Sequence, residues 1–184
     1  MQSFQRSAWE ERAWARYERQ RKSGTGPKAR ARLDEDLVAI AGIAAVASWC
    51  EKRGISITFT NRRDGGLLSP DEKMIQVNST QTYERQLFVL LHEAGHLLIG
   101  SHSPSNLHRF RLGYPSAHDP DLNSKFVHRC AILEEEFEAW HRGRRLARKL
   151  QIAINEDRWN ETKAEFLKTY IKWSLRAKAK NNSK

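Results

Sequence analysis

The stretch Leu87 to Ile99, Leu-Phe-Val-Leu-Leu-His-Glu-Ala-Gly-His-Leu-Leu-Ile, limits what this chain can fold into more than any other. Leu87, Leu90, Leu91, Ala94, Leu97 and Leu98 recur at helical spacing, and Phe88, Val89 and Ile99 widen the apolar surface. A helix that is apolar on most sides has to be buried on most sides. It nevertheless carries His92, Glu93 and His96. Burying two imidazoles and a carboxylate costs free energy unless something pairs with them. Their spacing says what that would be. His92-Glu93-Ala94-Gly95-His96 is the pattern H-E-x-x-H, which puts both rings on one helix face, a turn apart. Two imidazoles grip one zinc ion in that arrangement. Glu93, next to the first of them, can take a proton from a metal-bound water, as in metalloproteases.

Zinc held by two histidines needs a third protein ligand and keeps its fourth position for water. A helix is expected from about Phe126 to Leu150, with Glu134-Glu-Glu-Phe-Glu-Ala-Trp-His-Arg-Gly143 at its centre. Ile132, Glu136, Ala139, Gly143, Leu146 and Leu150 share one face by helical period. Ala139 and Gly143 are small and let another helix come close. Glu136 is therefore the first candidate, with Glu138 and Glu135 behind it. His102 competes. It stands ten residues after His92, the third-histidine spacing of the metzincin pattern, although Ile99 occupies that pattern's glycine position.

The remaining elements run in chain order. A helix is expected over 34–53, stopped by Gly54. Ile55-Ser-Ile-Thr-Phe-Thr60 and Lys73-Met-Ile-Gln-Val-Asn78 alternate apolar and polar residues like half-buried strands, with a turn at 61–66. Ser79 or Thr80 is the expected cap of the motif helix. The polar stretch 101–125, with His102, His108 and His118, has the length of a functional loop, a lid or specificity loop, and His102 or His108 could assist an oxyanion. A last helix is expected over 159–178, with Phe166, Leu167, Tyr170, Ile171 and Trp173 on its buried side. The fold class is α+β: a zincin-like domain, mostly helical, with a small antiparallel sheet next to the H-E-x-x-H helix. The strand at 73–78, as a sheet edge, would pair with an extended substrate.

Charge divides the chain differently. The net charge is +10, but residues 1–32 hold nine Lys/Arg against three Asp/Glu and residues 141–184 hold thirteen against four, so the middle is acidic. In residues 4–22, Phe4, Trp9, Trp14 and Tyr17 are interleaved with arginine, which suits either docking through the tryptophans or nucleic-acid contact. Ser23-Gly-Thr-Gly-Pro27 separates that segment from the rest of the chain. The expected organisation is a basic arm or helix with linker at 1–32, a metallopeptidase domain at 33–178 and a basic tail at 179–184. No run of 18 apolar residues suggests a membrane span, and no apolar leader opens the chain. Two cysteines 80 residues apart, Cys50 and Cys130, read as reduced thiols of a cytoplasmic protein.

Residues 73–100, from Lys-Met-Ile-Gln-Val-Asn through Leu-Leu-His-Glu-Ala-Gly-His, resemble the strand and active helix of the ImmA/IrrE-type metallopeptidases. The family's E-x-E-A pattern matches Glu136-Phe137-Glu138-Ala139, with Trp140 where HtpX-type proteases carry an aspartate. The resemblance covers about residues 34–150, and the stretch Glu138-Ala-Trp-His-Arg-Gly143 with the helices after it looks more like phage-type metallopeptidases than like the repressor-cleaving members. It implies a cytoplasmic zinc metallopeptidase of bacteria or phages acting on a protein substrate, and it points to Glu136. A second reading belongs to another class: a nucleic-acid-associated or partner-binding regulatory protein whose zincin core is not proteolytic.

Overall fold

The computed structural model describes residues 8–23, 26–61, 66–69, 73–100 and 126–176. The stretch 101–125, with His102, His108 and His118, lies outside the described residues, as do most of the turn expected at 61–66 and the tail beyond 176. The chain is α+β and mostly helical. It divides into two units, Met1–Leu90 with Arg148–Ala153, and Leu91–Ala147 with Ile154–Lys184.

The first unit opens with α1 (Ala8–Ser23) and α2 (Pro27–Glu51). Trp9 docks α1 by stacking on Phe59 at 4.5 Å between ring centroids, with Tyr83 edge-on. Helix α2 begins about two turns before the expected Asp34. Gly26 is its N-cap and Pro27 its first residue. Proline has no N–H to leave unsatisfied there, and its φ is already helical. The Ser-Gly-Thr-Gly-Pro cluster is thus the break between two helices and the start signal of the second. Ile40, Ile43, Val46 and Cys50 bury one face of α2. Gly54, at φ +70°, ends it. The Gly54 amide donates to the Glu51 carbonyl (2.9 Å) and the Ile55 amide to the Cys50 carbonyl (3.1 Å), the paired bonds of a Schellman terminus.

The sheet is mixed, where an antiparallel one was expected. It contains β1 (Ser56–Thr60), β2 (Gly66–Ser69) and β3 (Met74–Asn78) in the order β1-β3-β2. β2 and β3 pair antiparallel, Leu68 opposite Ile75, but β1 and β3 run parallel, Ser56 opposite Met74 and Thr60 opposite Asn78. The cause is β2. Its four residues hold too little alternation to be seen in the sequence, and an intervening strand reverses the chain once more. β3 is therefore the central strand. Both its edges are occupied, so it cannot receive a substrate strand as expected. Ile75 and Val77 are buried in the core.

Helix α3 (Tyr83–Gly100) carries the motif. Its cap is Thr82, not Ser79 or Thr80: the Arg85 amide donates to Thr82 Oγ1 at 3.3 Å. The other two hydroxyls are used elsewhere. Ser79 Oγ donates to the Thr60 carbonyl, and Thr80 donates through both amide and hydroxyl to Asn78 Oδ1. Buried Gln86 donates to the carbonyls of Ser79 and Gln81 and so ties the helix to the turn before it. Gly42 of α2 receives the Leu87 and Ile152 side chains.

The second unit contains α3 from Leu91 onward, α4 (Phe126–Lys149) as far as Ala147, and α5 (Glu156–Arg176). The buried stripe of α4 includes Ile132, Glu135, Glu136, Ala139, Gly143 and Leu146. Arg142 of α4 donates to the Leu98 carbonyl and satisfies an acceptor in the last turn of α3. Asn155 caps α5 by accepting the Arg158 amide, and Arg144 pairs with Glu156. Trp159 and Leu167 are buried on α5, whereas Ile171, expected inside, is 41% exposed. Among the described residues, no helix is long and apolar enough to cross a membrane.

Candidate metal centre

Two close approaches bring α3 and α4 together. A Cβ on Gly95 would lie 2.0 Å from the Ala139 carbonyl oxygen, and one on Gly143 would lie 2.4 Å from the Leu91 carbonyl oxygen. Only glycine fits at either place, because the opposing atoms are backbone. Ala139 and Ile99 are buried beside this contact. The small residues Ala139 and Gly143 thus serve the close approach that their shared face suggests. The packing role of Gly95, one of the unspecified positions inside H-E-x-x-H, escapes a reading by period and motif. The signal for it is a glycine in the middle of a buried helix, which needs a packing or functional reason.

The close approach carries Glu136 to the two imidazoles. Nε2 of His92 and Nε2 of His96 are 3.2 Å apart. Glu136 places Oε2 at 3.2 Å from His92 Nε2 and Oε1 at 3.6 Å from His96 Nε2. All three residues are buried, and their facing atoms form a group able to hold a metal ion. The separations suit zinc. Tetrahedral coordination with bonds of about 2.0–2.1 Å sets neighbouring ligand atoms about 3.3 Å apart. Two neutral nitrogens and a carboxylate are also the donor types zinc accepts at hydrolytic sites.

Glu138 and Glu135, the other candidates on this helix, are placed differently. Glu138 Oε1 accepts from Arg142 Nε at 2.8 Å and lies 3.3 Å from Arg145 Nη2. Glu135 is buried with Oε1 3.8 Å from His96 Nδ1, on the far side of that ring from Glu136. His102 lies outside the described residues.

Electrostatics set which charge this cluster favours. Burial pulls the His96 imidazole toward neutrality, but the carboxylates of Glu135 and Glu136, with the charge of Glu93 behind them, outweigh it and raise its pKa. Burial likewise pushes the Glu136 carboxyl up, yet the two imidazoles outweigh that and hold it well below the usual carboxylate range. The group therefore stabilises a positive charge at its centre. A proton can supply that charge, and a divalent cation can supply more of it.

Rings fix the other side of His92. Trp140 is fully buried and stacks on the His92 imidazole, with centroids 4.6 Å apart and planes at 26°. Trp159 and Phe166 meet Trp140 edge-on. The sequence places Trp140 one residue after Ala139, but no periodicity shows that it covers a ligand ring.

A buried His-His-Glu cluster on two helices, with a glutamate following the first histidine, is arranged as a site that could hold a metal ion. Residues 50–121 match the family model described as the IrrE N-terminal-like domain, Peptidase_M78, and this supports a metallopeptidase of ImmA/IrrE type. The matched span includes H-E-x-x-H and stops short of Glu136. Neither a curated protein nor a solved structure matches the chain.

Proposed function

We propose that the chain is a zinc-dependent endopeptidase in which His92, His96 and Glu136 hold the ion and Glu93 is the general base. The observation that carries this reading is the spacing of the three ligand groups, 3.2 to 3.6 Å, about one buried point. Zinc bound there would polarise a peptide carbonyl and acidify the attacking water. The residues of the chain do the rest. Glu93 is buried in the turn between the two histidines, where it takes the proton from the water and delivers it to the leaving amine. Glu135 orients His96 from behind, and the glycine contacts at Gly95 and Gly143 hold the two helices at the distance the ligands need. The substrate is a protein. The free thiols of Cys50 and Cys130 suit the reducing cytoplasm of a bacterium or phage-infected cell.

Metal analysis beside a hydrolysis assay tests the assignment. Glu136→Gln is expected to lose most of the bound zinc. Glu93→Gln is expected to keep zinc in a one-to-one ratio and lose at least about 100-fold in turnover, the lower range for a positioned general base. Hydrolysis retained by metal-loaded Glu93→Gln would falsify its role.

A second reading has its own support. Arg12, Arg16, Arg19, Arg21 and Lys22 of α1 and Lys28, Arg30 and Arg32 at the start of α2 are all exposed. With the tail at 179–184, this basic segment flanking the 33–178 core would bring nucleic acid to the protein. Duplex binding would then weaken with salt, at a log–log slope of about −0.9 per phosphate neutralised. A flat dependence removes this reading.

A further inference from the structure

The two imidazoles of the centre are supported in different ways. His96 has a carboxylate behind it: Glu135 Oε1 faces its Nδ1 at 3.8 Å. At this ion-pair distance, longer than a hydrogen bond, the carboxylate's charge favours a proton on Nδ1 and so leaves Nε2 for the metal. His92 lacks that support. Its Nδ1 is buried and has no hydrogen-bond partner among the described residues. Among the described residues, no charged group faces His92 Nδ1 as Glu135 faces His96 Nδ1, although in the proposed site both Nε2 atoms meet one point.

What His92 has is a flat neighbour. The indole of Trp140 covers the imidazole face at 4.6 Å, nearly parallel. Trp140 cannot turn easily, since Trp159 (4.9 Å) and Phe166 (5.5 Å) stand edge-on against it and it has no exposed surface. Phe166 also lies 6.3 Å from His92 itself. An aromatic box of this kind restricts the ring plane by shape. We infer that Trp140 is a positioning residue for His92, fixing by stacking the ring orientation that Glu135 fixes at His96 by charge. The inference rests on the proposed metal role of His92.

Electrostatics add a second effect. An imidazole bound to a cation gains positive character, and a cationic ring over an indole face is attracted by its quadrupole when the centroids lie within about 6 Å. The stack is thus stronger in the loaded state than in the empty one. Trp140 contributes to affinity as well as to folding, which a core residue with no tie to the ligand would not do.

Three variants of the full chain separate these roles. Zinc affinity is measured by competition with a chromophoric chelator, and folding by circular dichroism and thermal unfolding. Trp140→Leu is expected to lose roughly 10- to 100-fold in affinity, the range for outer-shell partners of metal ligands. Trp140→Phe, which keeps a flat ring, is expected to recover about half of that loss on a logarithmic scale. Trp159→Leu removes a ring that touches Trp140. It is expected to lower the melting temperature and, because Phe166 still holds Trp140, to lose clearly less affinity than Trp140→Leu. A folded Trp140→Leu protein with wild-type affinity overturns the inference. So does a Trp159→Leu protein that loses as much affinity as Trp140→Leu.

The zinc-free proteins give an independent readout. The His92 ring protons should resonate upfield in the wild type because of the indole ring current, and should return toward ordinary positions in Trp140→Leu. Unshifted His92 signals in the wild type overturn the inference whether or not zinc binds. If the wild type takes up no zinc while those signals are shifted, the proposed function fails and the stacking stands.

Discussion

Helix α3 is packed by two different rules along its length, and the difference shows where this protein tolerates change. In its first half Leu87 sits against Gly42, where an added Cβ would meet the Leu87 side chain at 2.9 Å and Ile152 at 3.0 Å. Those are methyl groups at the ends of rotatable side chains. In its second half an added Cβ at Gly95 would lie 2.0 Å from the Ala139 carbonyl oxygen, and one at Gly143 of α4 2.4 Å from the Leu91 carbonyl oxygen. Those atoms belong to helical backbone and cannot turn aside. The first half is an apolar core that can repack. The second is a backbone contact whose separation sets the distance between Glu136 and the histidines. Adjustable packing suffices for stability, but a ligand triangle a few ångströms across needs a fixed frame.

Substitutions in each half put this contrast to the test. Gly95→Ala has the largest expected effect. It should cost about 3 kcal/mol or more, since overpacking against backbone is at the severe end of its range, and should also abolish stoichiometric zinc binding. Denaturant unfolding with metal analysis checks both, and a stable, zinc-replete Gly95→Ala protein would break the comparison. Leu87→Ala, in the first half, should cost about 3 kcal/mol in stability, yet the folded fraction should bind zinc with wild-type affinity. Loss of affinity there would mean that the two halves are not independent.

Acidity should act on the second half alone. In the zinc-free protein the pKa of His96 is raised and that of Glu136 is lowered. The pair's stabilisation is therefore lost as pH rises through the high His96 value and as it falls through the low Glu136 value, and is present between them. Zinc bound at the proposed site would displace the proton that the raised His96 pKa favours. Affinity should rise by about tenfold per pH unit between about pH 6 and 8, as one proton is released. Isothermal titration in buffers of different ionisation enthalpy would count that proton, and a count of zero would contradict the charge balance of the centre. Gly42→Ala should have the smallest effect, about 1 kcal/mol or less by thermal unfolding with zinc binding unchanged, because the Leu87 and Ile152 methyls can give way.

Much of this arrangement could be read from residue order. The period of Leu87, Leu90, Leu91 and Ala94 marks the buried helix, and four-residue spacing sets His92 and His96 side by side. The face shared by Ile132, Glu136, Ala139 and Gly143 brings forward one glutamate among several. Other features depend on partners distant in sequence. β2 is only Gly-Leu-Leu-Ser, so its pairing, and with it the parallel sense of β1 and β3, does not show as alternation. Ser79, Thr80 and Thr82 are chemically alike as caps, and only the bonds to Thr60 and Asn78 remove the first two. Helix α2 starts early because a proline that ends one helix can begin another. The stack of Trp140 on His92 depends on side-chain rotation, for which one-dimensional spacing has no signature.

The glycine contacts have a consequence for protein engineering. Since the proposed ligand triangle is framed by main-chain approach at Gly95 and Gly143, grafting the two histidines and the glutamate onto an ordinary helical hairpin would leave the carboxylate out of reach. A transplant would have to copy the interhelical separation first and the donors second. Residues 91–96 with 136–143 are the smallest pair of segments that contains both.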